Sequence, residues 1–295
     1  MIMHSYLRAV GFSNLKNRKE LDKIIGIVMD QPMQLKKYKI SETETMAEMY
    51  KLFGERMGIG IRGIYDEKGF FYLEHYFPFL LGQGVTAKED VYINKRIDTD
   101  AYTGMCDDLR LGVSLIFYLQ NAIEYMECKG MRDSSRIVPL TLSGLSTEGK
   151  ILLGIEVDEK KKETMTQEKQ QRNKLIAQAK EGNQEAIDSL TIEEIDTYAM
   201  ISRRARNEDI YSIVDNSFIP YGSESDNYSI LGTILNWTSS VNPYTEETVY
   251  ELYLSCNDMD YVICINKADL QGEPQVGRRF KGSIWMQGRV DFTQL

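Results

Sequence analysis

Arg279, Lys281, Trp285 and Arg289 fall at odd positions of the closing stretch VGRRFKGSIWMQGRVDF (276–292). In an extended strand the odd positions share one face, so three cations gather around one indole. Cations neutralise phosphates and an indole stacks on a base, the combination by which small barrels hold single-stranded nucleic acid. The even set, Phe280, Gly282, Ile284, Met286, Gly288, Val290 and Phe292, reads as a core face. A competing reading packs Trp285 beneath another part of the chain and pairs the cations with Asp291 and Glu273. Residues 207–295 carry five Lys/Arg against thirteen Asp/Glu. Nucleic-acid modules are usually basic, so this balance favours the competing reading.

A second group of cations, RRAR (203–206), precedes NYSILG (227–232). Asn227, Ser229 and Gly232 fit an N-x-S-x-x-G pattern that resembles the signature of bacterial cyclic-dinucleotide-binding barrels, in which upstream arginines clamp the phosphates. Those barrels use arginines four apart, whereas Arg203, Arg204 and Arg206 offer spacings of one, two and three. Cations also favour the C-terminal end of a helix through its dipole, which accounts for the run without a ligand.

The remaining chemistry is thinner. IDTDAYTGMCDD (97–108) clusters Asp98, Asp100, Asp107 and Asp108 near Gly104. A calcium loop wants glycine at its sixth position and glutamate at its twelfth, and counting from Asp98 those are Thr103 and Leu109. Helix capping by Asp107 or Asp108 explains half of the cluster. The histidines are His4 and His75 alone, and no sequence feature brings His75 to Cys106 as a thiol–imidazole pair. GIGIRG (58–63) is literally G-x-G-x-x-G but precedes a predicted hairpin rather than joining a strand to a helix, so it reads as strand glycines. The aromatic run FFYLEHYFPF (70–79) reads as a strand buried on both faces; exposed Tyr72 and Tyr76 would instead mark an interaction patch. No cofactor and no metal is expected.

These residues must be positioned by a chain of 295 residues with 42% hydrophobic content, enough for a sizeable core and long enough for two domains. The formal net charge of -9 argues against a general nucleic-acid coat and against anionic membrane surfaces. No stretch has the length and apolarity of a membrane span, and the start lacks a signal-peptide pattern. Cys106, Cys128, Cys256 and Cys264 form no CxxC pair, which points to reduced thiols and a cytoplasmic setting.

Residues 18–30 and 41–58 read as amphipathic helices, the latter opened by a Ser41/Glu44 capping box. Residues 59–65 and 70–77 flank a hairpin turn at Asp66–Gly69, and 91–97 is a further strand. From Asp107 or Asp108 a long helix is expected, stacking Leu111, Leu115, Leu119, Ile123 and Met126 and stopping at Gly130. RIVPLTLSGL and KILLGIEV read as a hairpin around Ser146–Gly149. Residues 158–206 form two or three helices, with breaks at Gly182-Asn183 and at Thr191/Glu194. Beyond Asn207 every element is a strand, and Asn257 turns a hairpin that aligns Tyr250, Leu252 and Leu254 with Tyr261, Ile263 and Ile265. The expected fold is α+β: an α+β domain over 1–157, a helical connector over 158–206 and a small β-barrel domain, OB-like, over 207–295.

EDIYSIVDNSFIPYG, NPYTEETVYELYLSCND, INKADLQGEP, VGRRFKGSIWMQG and the opening HSYLRAVGFS resemble a family of uncharacterised bacterial proteins of about this length. That resemblance implies no catalytic residue, cofactor or substrate. The residues themselves point to a non-enzymatic binding or scaffolding protein that meets a protein partner through the barrel or the connector. The alternatives are a nucleic-acid or nucleotide module using Arg279, Lys281, Trp285 and Arg289, and an enzyme with its site at the domain junction.

Overall fold

Two sheets carry the fold of the computed structural model, which describes residues 3–96, 101–128, 137–155, 159–222 and 225–294. The first is an antiparallel meander in the order β1 (Gln34–Lys39), β2 (Thr45–Leu52), β3 (Met57–Tyr65), β4 (Phe71–Leu80). Helix α1 (Arg18–Asp30) precedes it, capped by the Asn17 side chain, which accepts from the Glu20 amide. Its Leu21, Ile24, Ile25 and Val28 recur at helical spacing and are buried. The β3–β4 turn is the expected one: the Asp66 carboxylate accepts from the Lys68 and Phe70 amides, and Gly69 supplies φ +81°.

The second sheet has eleven strands. Its early members are β5 (Ala87–Asp90), β6 (Tyr92–Lys95), β7 (Tyr102–Asp108), β8 (Val113–Leu119) and the long β9 (Ile137–Leu152), with α2 (Ala122–Cys128) between the last two. Helices α3 (Glu159–Lys180), α4 (Gln184–Arg204) and α5 (Ile210–Ile213) follow. The chain then returns to the sheet as β10 (Ser217–Pro220), β11 (Asn227–Val241), β12 (Thr248–Cys256), β13 (Met259–Asn266), β14 (Leu270–Gln271) and β15 (Arg279–Val290). Strands β11, β12, β13, β9 and β15 hydrogen-bond in sequence, and β15 pairs back to β11, which closes the circuit. That circuit draws β9 from before the helical segment and the other four strands from after it.

Three expectations are corrected. Residues 41–58 are not a helix. The Ser41 hydroxyl accepts from the Thr43 and Glu44 amides, but these close the β1–β2 turn, and β2 follows. Buried Glu48 of β2 is held by Arg62 of β3 at 2.8 Å, a cross-strand tie that outweighs the helix propensity of TETMAEMY. The long helix from Asp107 to Gly130 is instead β7, a tight turn at Gly112 (φ +65°), β8 and the short α2; Gly130 lies outside the described residues. Leu115 and Leu119 are four apart, which satisfies period two as well as a helix, and with Phe117 they share a strand face. The hairpin at Ser146–Gly149 is a bulge. There β9 runs straight on against β15, with Ser283 opposite Glu148 and Ile284 opposite Ser146.

The helical segment resolves into two long helices, not three. Asn183 caps α4 by accepting from the Ala186 amide, as expected, while Thr191 lies inside α4 and donates its hydroxyl to the Ile187 carbonyl. The Asn257 hairpin keeps its expected register, Leu252 opposite Ile263 and Tyr250 opposite Ile265, with Asn257 and Asp258 both at positive φ. No helix among the described residues is long and apolar enough to cross a membrane.

Two apolar cores lie on opposite faces of β15. Phe280, Ile284, Met286 and Val290 join one with Leu140, Leu252 and Ile263. Trp285 joins the other, with Tyr118, Leu145, Cys264 and the apolar residues of the four-stranded sheet. The glycines of the even face leave room for rings: a Cβ at Gly288 would stand 2.3 Å from Phe117.

Candidate functional site

The odd face of β15, read as outward, is largely covered. Trp285 is 5% exposed. Its ring centroid lies 4.8 Å from that of His4, 5.5 Å from Tyr6 and 5.0 Å from Tyr118, and its Nε1 donates to Asp226 Oδ2 at 2.9 Å. The stacking capacity of this indole is thus taken up by the chain's own N-terminal segment. Arg279 is buried and donates to the carbonyls of Leu153, Val214 and Tyr211 at 3.0, 2.8 and 2.7 Å. Lys281 meets the Tyr211 hydroxyl and lies 4.3 Å from that ring's centroid. Arg289 pairs with Glu124, which also receives Lys36. The partners differ from the expected Asp291 and Glu273: Asp291 accepts from Thr293, and Glu273 accepts from the Tyr250 hydroxyl.

The second set is spread over two regions. Arg203, Arg204 and Arg206 stand at and just beyond the end of α4, where Arg204 pairs with Glu208 at 2.6 Å. Asn227 and Ser229 lie on β11 opposite Trp285 and Ser283, and Asn227 accepts from the Tyr6 hydroxyl at 2.6 Å. Gly232 is closely approached by Cys256 and the Ser255 carbonyl, so its place in the pattern is one of packing.

Nor do the histidines meet the thiols. His75 lies against Phe77 and Tyr118 in one core, Cys106 in the other. Burial pushes Cys106 up to about 12, helped by Asp108. Burial also works to raise Asp108, but its hydrogen bonds from Arg110 hold it below the usual carboxylate range. Asp98 and Asp100 lie outside the described residues. Burial lowers His4 to about 4, and its Nδ1 has no hydrogen-bond partner. Among the described residues no group of three or more His, Cys, Asp or Glu is placed to hold a metal ion.

A cleft of about 880 Å³ lies elsewhere. The β2–β3 turn brings Glu55 and Arg56, the segment after β4 brings Gln83 between Gly82 and Gly84, and β11 and β12 form a wall. A register shift between Ile234 and Asn236 sets Asn236 opposite Tyr253 and Thr238 opposite Glu251. Arg56 donates through Nε and Nη2 to Glu251 Oε2 at 2.9 and 2.6 Å and through Nη1 to Gln83 Oε1 at 2.8 Å. Glu251 is 2% exposed, and its Oε1 is buried with no hydrogen bond. Such an oxygen costs about 1–3 kcal/mol for as long as it stays unsatisfied. With Gln83 Oε1 and Asn236 Oδ1 both accepting, the amide nitrogens of Gln83 and Asn236 keep their donors. Trp237 lines the same cleft; it is 37% exposed and packs edge-on against Tyr250 at 5.7 Å.

None of these residues was singled out in the sequence, because they are distributed from Glu55 to Tyr253. One local signal exists. In TVYELYLSC a lone carboxylate interrupts a run of core residues, and a charge in a buried strand needs a partner from elsewhere.

The family model described as "Domain of unknown function, E. rectale Gene description (DUF3881)" matches residues 7–288, and the chain belongs to that bacterial family. No curated protein and no solved structure matches the chain.

Proposed function

We propose that this DUF3881 protein is a non-enzymatic binding protein whose Arg56–Glu251 cleft takes a small, uncharged, hydroxyl-rich molecule of the saccharide class. The observation that carries this reading is the buried Glu251 carboxylate with one oxygen unsatisfied beside a cleft. Glu251 lines the cleft, and a turn of its side chain would bring that oxygen to a donor bound there and remove the cost. The amide donors of Gln83 and Asn236 stand on the same wall system, so the ligand must both give and accept hydrogen bonds. Hydroxyl groups do both. Charge is disfavoured because Arg56 already neutralises Glu251, and an anion drawing Arg56 away would strand a buried carboxylate.

The test is thermal denaturation with neutral mono- and disaccharides, set against anionic and ammonium counterparts at equal ionic strength. Neutral saccharides should raise the melting temperature with increasing concentration, by about 2.7 kcal/mol of stability at a hundredfold excess over Kd. Asn236→Ala should keep the unliganded stability and lose the shift. A flat response to every neutral saccharide, or a shift that Asn236→Ala leaves intact, rejects this reading.

A further inference from the structure

A further cavity, of about 320 Å³, is lined by both sheets and shares no residue with the Arg56–Glu251 cleft. Small-molecule sites have volumes of about 300–1,000 Å³. One side is a cross-strand row of the four-stranded sheet. Tyr38 of β1 stands opposite Met46 of β2, and Met46 opposite Ile64 of β3. Residues directly opposite share a face, so the row is continuous. The facing side comes from the larger sheet and from α2. Lys95 and Tyr102 stand opposite one another on β6 and β7, and Tyr125 of α2 meets the Tyr102 ring edge-on, 6.1 Å between centroids. Met46, Tyr102 and Tyr125 are buried, yet each borders this space.

A strand irregularity brings in an acid. Between β3 and β4 the register shifts: Arg62 is opposite His75 and Gly63 opposite Leu73, which leaves Glu74 as the extra residue. A bulge re-aims the side chain it carries, and Glu74 borders the cavity on its β4 side. Glu74 and Lys95 thus put one negative and one positive charge on a lining that is otherwise tyrosine, isoleucine and methionine.

We infer that this cavity binds a free α-amino acid with a large apolar or aromatic side chain. The ligand's ammonium meets Glu74, its carboxylate meets Lys95, and its side chain lies among Tyr38, Met46 and Tyr102, where rings and sulfur favour aromatic company. The charges decide the class. A lone cation would face Lys95 and a lone anion Glu74, whereas a zwitterion answers both. Glu74 and Lys95 already interact within the chain. A carboxylate and an ammonium each have capacity for more than one hydrogen bond, so the ligand can join the contacts they have. This inference is independent of the saccharide reading of the other cleft.

The experiment is isothermal titration calorimetry of the full chain with L-phenylalanine and L-methionine. The comparison compounds are phenethylamine, which lacks the carboxylate, 3-phenylpropionate, which lacks the ammonium, and glycine, which lacks the side chain. The amino acids should bind saturably, and each comparison compound about tenfold more weakly or worse. Glu74→Gln should weaken L-phenylalanine by about tenfold or more and leave 3-phenylpropionate unchanged or tighter. Lys95→Gln should weaken it similarly and spare phenethylamine instead. Asn236→Ala should alter none of these. The compound series needs no variant, so it decides even where a substitution disturbs the fold. Absence of saturable binding by both amino acids overturns the inference. So does binding that glycine matches, or an affinity for L-phenylalanine that Glu74→Gln and Lys95→Gln leave intact.

Discussion

The chain has two tryptophans, and they sit in opposite circumstances. Trp285 belongs to a neighbourhood in which the chain covers the ring and engages the surrounding cations with its own groups. His4 and Tyr6 cover the ring, Asp226 accepts from its nitrogen and also holds Arg96, and the flanking cations end on carbonyls, a phenol and a carboxylate. Trp237 borders a cleft in which the chain leaves something open: a buried carboxylate oxygen and two amide groups with donors to spare. A residue type capable of binding is thus no guide to a site until its partners are counted. The tryptophan surrounded by cations is packing, and the one beside an unfinished hydrogen-bond network is where a ligand would change the energetics most.

The largest effect expected from this contrast lies in the core that Trp285 joins, at the buried Glu48–Arg62 pair. Arg62→Met should cost about 3–5 kcal/mol in chemical denaturation, because it leaves Glu48 charged and buried. Glu48→Leu/Arg62→Met should recover most of that loss. If the single replacement costs nothing, the pair is not the tie that holds β2 in the sheet.

Next in size is a pH effect at His4. Its folded-state value of about 4 lies below the ordinary 6.5, so between these values the unfolded chain binds the extra proton. The stability His4 allows is therefore complete above pH 6.5 and falls as the pH drops towards 4, by up to about 3 kcal/mol. His4→Phe, which retains a ring over Trp285, should flatten that part of the stability–pH curve. An unchanged slope would place the His4 ring in water and reopen the face of Trp285.

Smaller effects compare exposure directly. Acrylamide should quench the Trp285→Phe variant readily, since Trp237 remains, and should barely quench Trp237→Phe. Among the thiols, burial pushes Cys106 and Cys256 up to about 12 and raises Cys264 as well, whereas Cys128 is only half-buried. A thiol reagent at mildly alkaline pH should modify Cys128 first and the other three on the timescale of unfolding.

Local signals were legible where one residue type has one mechanical consequence. Asp66 and Gly69 turn β3 into β4, Asn183 caps α4, and Asn257-Asp258 fixes a hairpin register, all as expected from neighbours in sequence. The errors fall where distant strands decide. A spacing of four at Leu115 and Leu119 serves a strand as well as a helix, Ser41 and Glu44 can close a turn as well as cap one, and polar Ser146–Gly149 is a bulge because β15 pairs along both sides of it. The odd face of β15 looked free because nothing local says that His4 and Tyr6 will lie over it. The cleft was illegible for the same reason: Arg56 and Glu251 are 195 positions apart, and only the packing of the four-stranded sheet on the second sheet brings them together.

The most direct test is a fluorescence titration of the Trp285→Phe variant, whose only tryptophan is Trp237, with neutral saccharides. A saturable change, abolished by Asn236→Ala and absent with single-stranded oligonucleotide, is the predicted result. No change with any neutral saccharide, or saturable quenching by oligonucleotide that weakens with salt, would contradict the assignment of the cleft beside Glu251 as the binding site.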